Sequence, residues 1–359
     1  MADGRRIQEG GENFIDHDSP PPHCRVVVRK PYLLFLGDVD SEVHAKTALG
    51  LRDWVPDACI AQLRLAQAQV DVGLPDMDAE AAVRAGAKSM VIGVAPVGGR
   101  IPPGWHPLLL RAVQAGLDVV SGMHVPLEDV PGLAEAARQR GVSLIDVRLP
   151  RQAFPVATGR RRSGKRLLTV GTDCALGKKY TALALTAALR GRGIDADFRA
   201  TGQTGIMIAG AGIAIDAVIA DFAAGAAEVL SPAAPLDHWD VIEGQGSLFH
   251  PAYAGVTLAL VHGSQPDALV LCHDAHRPHL NAYPGFPLPD LAVAAARYVE
   301  AARLTNPDAR LAGISMRTSM LDAAGRQRAL EETAARMNVP CFDPLQTPLE
   351  PVLDVILQS

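Results

Sequence analysis

The residues with the clearest chemistry lie in one run, Leu167-Leu168-Thr169-Val170-Gly171-Thr172-Asp173-Cys174-Ala175-Leu176-Gly177-Lys178-Lys179. An aliphatic stretch feeds a loop bracketed by Gly171 and Gly177. The loop feeds a segment with Ala182, Leu185 and Leu189 at helical spacing. Glycines at both ends permit backbone angles closed to other residues. Successive N–H groups then line a concavity at a helix N-terminus, which favours an anion. Lys178 adds a point charge for a phosphate oxygen. We expect Gly171, Thr172, Asp173, Cys174, Ala175, Leu176, Gly177, Lys178, Lys179 and Tyr180 to hold a phosphorylated cofactor.

Two departures from the usual phosphate loop are informative. Five residues, rather than about four, separate the glycines. The position after the loop lysine normally carries a Ser or Thr hydroxyl for Mg²⁺, and here it is Lys179. Thr181 is no substitute, because two residues along a helix is about 200° round its axis. A cation at the metal position disfavours Mg²⁺. The expectation is a metal-free contact to a cofactor that need not be cleaved.

Other candidates cluster after predicted strands. Glu243 opens Glu243-Gly244-Gln245-Gly246-Ser247, just past Val241-Ile242. A carboxylate at the carboxyl end of a parallel strand lies where α/β ligands bind. It can serve as a base, bind Mg²⁺, or merely cap the turn. Thr201-Gly202-Gln203-Thr204-Gly205 offers hydroxyls and an amide after another strand, either for a ligand or as a tight loop. His250 follows closely, and His273, Asp274 and His276 follow a third strand. Histidine has the right unperturbed pKa for base work near neutrality. No helical i, i+4 pair or cysteine cluster points to a metal, and none is expected. Cys174 beside a helix N-terminus opens an acyl-cysteine route, although a small side chain lining the loop serves the fold equally. Asp216 and Asp221 interrupt an apolar run, so each should cap a helix or meet a ligand.

These groups need a scaffold. From Cys24 to about Pro155, short aliphatic runs alternate with helical patterns. Strands are expected at Tyr32–Leu36, Ala58–Gln62, Ser89–Val94, Asp118–Ser121 and Val142–Val147. Gly86, Gly116 and Gly141 sit where helix C-caps belong. The alternation predicts a parallel, Rossmann-like α/β unit over 24–155, without a G-x-G-x-x-G turn. The basic stretch TGRRRSGK ending at Lys165 reads as a linker. A second α/β unit with P-loop character is expected over 156–359, and residues 1–23 read as a disordered tail.

Composition narrows the function classes. The chain has 359 residues with 34 Lys+Arg against 39 Asp+Glu, a net charge of −5, which argues against a nucleic-acid partner. At 48% apolar it can bury a large core. The most apolar stretch, Ile206–Leu230, is broken by Asp216, Asp221 and Glu228 before it reaches membrane-spanning length. Five scattered cysteines and a polar N-terminus suit a reducing cytoplasm.

Five blocks together resemble the D-glutamate N-acetyltransferase (DgcN-type) family, long catalogued as a domain of unknown function. They are GDVDSEVHAKTALGLRDW (Gly37–Trp54), GTDCALGKKYT (Gly171–Thr181), ATGQTGIMIAG (Ala200–Gly210), DAVIADFAAGAAE (Asp216–Glu228) and EGQGSLFHPAYAGVTLALVHGSQPDALVLCH (Glu243–His273). The resemblance runs from about Tyr32 to the C-terminus. It implies a Rossmann-like domain, a P-loop domain and acetyl transfer from acetyl-CoA to the amino group of D-glutamate, in cytoplasmic D-amino-acid catabolism. On that footing Glu243 or His250 would deprotonate the ammonium. Arg199, Thr201, Gln203, Asp221 and Gln245 would bind the substrate, with Lys46 and Arg52 as further partners for its carboxylates. The N-terminal unit would close over the acceptor or build a homo-oligomer. Two alternatives stay open. The five-residue loop and the EGQG turn also resemble dethiobiotin synthetase, which implies an ATP- and Mg²⁺-dependent ligase or kinase acting on a small carboxylate. A non-catalytic nucleotide-binding regulator is the other.

Overall fold

Strands with no polar alternation must be covered on both faces, and β1 (Tyr32–Gly37) is buried at all six positions. In the computed structural model, which describes residues 26–95, 98–149 and 153–358, it lies inside a five-stranded sheet. The expected tail, 1–23, lies outside the described residues. The partners of β1 are β2 (Cys59–Arg64), β3 (Ser89–Ile92), β4 (Asp118–Ser121) and β5 (Leu144–Asp146), all parallel, in the order β2-β1-β3-β4-β5. Helices α1 (Lys46–Trp54), α2 (Ala79–Arg84), α3 (His106–Ala115) and α4 (Leu133–Arg140) connect them. Asp78 caps α2 by accepting the Ala81 N–H. Gly116 and Gly141 end α3 and α4 in left-handed conformations, as their positions in the sequence suggested.

The second sheet is six-stranded. It holds β6 (Lys165–Gly171), β7 (Ala196–Arg199), β8 (Trp239–Ile242), β9 (Ala268–Asp274), β12 (Arg310–Arg317) and β13 (Cys341–Phe342), in the order β13-β12-β9-β6-β8-β7, all parallel. A small antiparallel hairpin, β10 (His279–Leu280) with β11 (Tyr283–Pro287), follows β9. Alternate side chains of β6 serve two cores. Leu168 and Val170 pack with α7 (Ala220–Leu230), α8 (Ala254–Ser264) and α9 (Leu291–Arg303), whereas Leu167 packs with α5 (Lys178–Gly191) and α11 (Glu350–Leu357). Helices α6 (Gln203–Ala209) and α10 (Ala323–Met337) complete the set. No helix among the described residues is long and apolar enough to cross a membrane.

Two local readings are corrected, and the TGRRRSGK stretch is docked on its neighbours. The Glu228 carboxylate accepts the N–H groups of Thr158 and Gly159 at 2.9 and 2.8 Å, and Arg162 donates to the carbonyls of Gly263 and Ser264 at the end of α8. The Thr201–Gly205 segment is not a loop throughout, because Gln203 begins α6. Arg199, expected at the substrate, is buried. Its Nε donates to Asp240 at 2.5 Å, and its Nη2 lies 3.3 Å from Asp197. His238 completes that network, with Nδ1 2.7 Å from Asp195 and Nε2 3.2 Å from Asp240. Burial pulls the His238 pKa down, but hydrogen bonds to Asp240 and Asp195 outweigh it and leave the pKa raised.

The two units meet along a seam between α1 and α6. Thr47 and Thr204 share a 2.8 Å hydroxyl contact, and Ala200, Ile206, Met207 and Ala214 pack into the core of the first unit. Arg148 donates to Asp216 at 2.6 Å and to the Gln203 amide oxygen at 2.9 Å.

Two stability outcomes follow from this packing. A Cβ at Gly225 would collide with the carbonyl of Pro155. Gly225→Ala should therefore cost about 1–3 kcal/mol, read as a melting temperature lowered by several degrees. The raised pKa of His238 means that its ion pairs stabilise the fold fully below about 6.5 and progressively less as pH rises through the folded value. His238→Asn should flatten that part of the stability–pH curve in denaturant melts. An unchanged curve would show that the imidazolium contributes nothing.

Candidate active site

The phosphate loop spans the end of β6 to the start of α5. Ala175 and Gly177 adopt positive φ, +55° and +96°, turning the chain so that α5 begins at Lys178. The first-turn N–H groups of α5 have no partner within the helix. Asp173 organises the loop from within and is fully buried. Its carboxylate accepts the Cys174 N–H at 2.6 Å, and Arg277 Nη1 and the Asn281 N–H at 2.7 Å each. Tyr298 donates its hydroxyl to the Gly171 carbonyl at 2.7 Å. Thr172 Oγ1 lies 3.0 Å from His273 Nδ1. Lys178 reaches back to the Asp173 carbonyl at 2.8 Å.

Cations converge on this loop. Lys178, Arg277, Lys46 from the start of α1 and Arg317 from the end of β12 lie close enough to affect one another's charge. Burial, then Arg277 and Arg317, push the Lys46 pKa down, and burial pushes down that of Lys178. Among the described residues no carboxylate forms an ion pair with Lys46, Lys178 or Arg317, and Asp173 is spent on Arg277. This cluster has excess positive charge, which favours a polyanion. Arg277 and Arg317 were not singled out from the sequence. The available signal was their place, at or just past the carboxyl ends of β9 and β12.

The second half of the site lies after β8. Thr169 Oγ1 accepts the Gly244 N–H at 2.9 Å, and a Cβ at Gly244 would strike the Thr169 carbonyl. This contact sets Glu243 beside the seam. Its Oε2 accepts the N–H groups of Thr201 and Gly202 at 2.9 and 3.1 Å, and Thr201 Oγ1 donates to the Glu243 carbonyl at 2.6 Å. Gln245 Nε2 donates to Thr201 Oγ1 at 3.1 Å. Burial raises the Glu243 pKa, while the Thr201 N–H and Lys179 pull it back. Thus Glu243, Thr201 and Gln245 come together, and Lys179 faces Glu243 as well as Asp53 and Lys46. Burial lowers the Lys179 pKa to about 8.

Other expected residues stand elsewhere. His250 is buried, and its Nδ1 accepts the Ala252 N–H at 3.2 Å. The ring proton therefore sits on Nε2, 3.3 Å from the Asn281 carbonyl. Both nitrogens are occupied by backbone, which leaves no lone pair for base work. Asp173, Cys174 and His250 place donor atoms within 4.8 Å of one another, but Asp173 already accepts from Cys174, Arg277 and Asn281, and His250 is engaged by Ala252 and Asn281. Burial raises the Cys174 pKa, against the thiolate that an acyl-cysteine route requires. Burial also drives the His273 pKa down to about 4. Gln203 is engaged by Arg148 and rests against Gly122. Asp221 is exposed in the first turn of α7, where a carboxylate complements the helix dipole. Tyr180 donates to Asp53, which also takes Arg52.

Comparison with known proteins fits this geometry. Residues 155–353 match "Domain of unknown function (DUF1611_C) P-loop domain", and residues 63–150 match the corresponding DUF1611_N Rossmann-like domain. A protein of Tritonibacter scottomollicae named D-glutamate N-acetyltransferase is 48% identical over 318 residues, 89% of this chain and 96% of its own. Its namesake from a Pseudoalteromonas species is 44% identical over 326 residues, 91% of this chain and 98% of its own. The crystal structure of a DUF1611 family protein from Anabaena variabilis superposes with a TM-score of 0.84 at 35% identity, covering 92% of this chain and all of that one. With both domains matched and such relatives nearly full-length, the chain belongs to the DUF1611 family, whose curated members include these N-acetyltransferases.

Proposed function

We propose that this protein is an acyltransferase that moves the acetyl group of acetyl-CoA onto the amino group of D-glutamate. The observation that carries the reading is the cluster of Lys46, Lys178, Arg277 and Arg317, with Asp173 paired to Arg277 and, among the described residues, no carboxylate in an ion pair with the other three. Coenzyme A brings a pyrophosphate and a 3′-phosphate, and its thioester reacts without a metal. Loop residues Gly171–Lys178 and the first turn of α5 would hold the phosphates. Lys179 in place of a metal-binding hydroxyl supports a carrier held without Mg²⁺ over an ATP-dependent ligase.

The acceptor would lie near Glu243, Thr201 and Gln245, which converge after β8. The charged form of Glu243 would attract the ammonium, and Gln245 and Thr201 offer polar partners. Loop N–H groups would stabilise the oxyanion formed as nitrogen attacks the thioester. The four free cysteines among the described residues fit a reducing cytoplasm.

The decisive assay mixes protein, acetyl-CoA and D-glutamate with EDTA present and follows thiol release. Release that depends on D-glutamate supports the reading. Turnover only with ATP and Mg²⁺ would replace it with the ligase alternative. Lys178→Met should raise KM for acetyl-CoA roughly ten- to a hundredfold, the loss of a charge-assisted contact of about 1.5–3 kcal/mol. An unchanged KM would move the donor phosphates off this loop.

A further inference from the structure

Lys178 and Lys179 are neighbours in sequence but face different charges. Lys178 sees Cys174, Cys272, Asp173 and Arg277. Lys179 sees Glu243 from the turn after β8, and Asp53 and Lys46 from α1. Its Nζ also lies 5.0 Å from the centroid of the Tyr180 ring. The amine is seated in the seam between the two units. A Cβ at Gly50 would lie 2.7 Å from Lys179 Nζ and 2.8 Å from Thr204 Cγ2, so the glycine in α1 makes the room.

Among the described residues Lys179 makes no ion pair or hydrogen bond. Asp53 is taken by Arg52 and Tyr180, and Glu243 Oε2 accepts two backbone N–H groups. A structural lysine in a seam normally pairs or extends to water. This one is only partly exposed and its amine has no such partner, and it faces the carboxylate assigned to the acceptor.

We propose that Lys179 is a catalytic residue that takes the proton from the acceptor's ammonium, a role that rests on the acetyl-transfer reading. The neutral lysine amine accepts one proton from the ammonium and becomes an ammonium itself. The freed amine forms a C–N bond to the thioester carbonyl carbon. As the tetrahedral intermediate collapses, the C–S bond breaks and its electron pair leaves on sulfur. The second nitrogen proton neutralises the thiolate, and Lys179 returns its proton to solvent. An amine with a pKa of about 8 is well matched to this exchange, being substantially neutral just above neutrality. Glu243 is less free to take that proton, because its Oε2 already accepts the N–H groups of Thr201 and Gly202.

The test compares wild type, Lys179→Arg and Lys179→Ala in D-glutamate-dependent thiol release from weakly acid to alkaline pH, with melting curves for each. Wild-type kcat/KM for D-glutamate should rise with pH and level off above about 8. Both variants should lose about a hundredfold or more in kcat, with KM for acetyl-CoA little changed. Arginine keeps the charge but does not give up its proton, so its failure separates proton transfer from electrostatics. Added ethylamine should restore Lys179→Ala in proportion to its free-base concentration. Near-wild-type turnover by Lys179→Arg, or an alkaline limb unchanged in Lys179→Ala, overturns the assignment while leaving acetyl transfer intact. A wild type that releases no thiol with D-glutamate overturns both.

Discussion

One buried hydroxyl joins the two halves of the site. Thr169 Oγ1 accepts the Gly244 N–H and lies 3.3 Å from the Lys178 carbonyl and 3.4 Å from that of Ile242, where its single proton can go. The backbone can approach this closely only because position 244 has no side chain. Lys178 and Glu243 are thereby set on either side of one fixed point. Their separation is held by strand and turn backbone rather than by flexible side chains, which is the precision that a reaction between two bound molecules needs.

Desolvation explains why two consecutive lysines diverge in chemistry. Lys178 is buried and Lys179 partly so, and burial lowers the pKa of each. Lys178 is held on the Asp173 carbonyl inside a loop suited to phosphate. Lys179 has no such hydrogen bond and is left between α1 and the Glu243 turn. Helix geometry makes this possible, since one residue along α5 turns the side chain by about 100°.

The phosphate loop was legible because its signal is local: two glycines, a lysine, a strand before and a helix after. The ends of α3 and α4 were legible too, because Gly116 and Gly141 supply the left-handed residue each helix stops on. Elsewhere the local signal failed for physical reasons. Helix α8 is apolar around most of its circumference because it is packed between α7 and α9, so no amphipathic stripe marks it. Helix α6 carries Gly205 inside it, and that glycine reads as a loop although a Cβ there would collide with Glu243 Oε2. Helix α1 hides behind Gly50 in the same way. Arg199 looked like a carboxylate partner and is one, but for Asp240 on the adjacent strand, a register that spacing along the chain does not reveal. Arg277 and Arg317 reach the loop from β9 and β12, across more than a hundred residues of chain.

Helix α1 contributes to both halves at once. Its first residue, Lys46, adds a positive charge beside the phosphate loop, and one turn later its bare Gly50 backbone forms the wall behind Lys179. A rotation that parts the two units would therefore displace Lys46 from the loop and Gly50 from Lys179 together. On the acetyl-transfer reading, two ligands held at these places would share that one free energy, and whichever binds first would lower the cost of ordering the seam for the second. By thermodynamic reciprocity that advantage is equal in either order of addition.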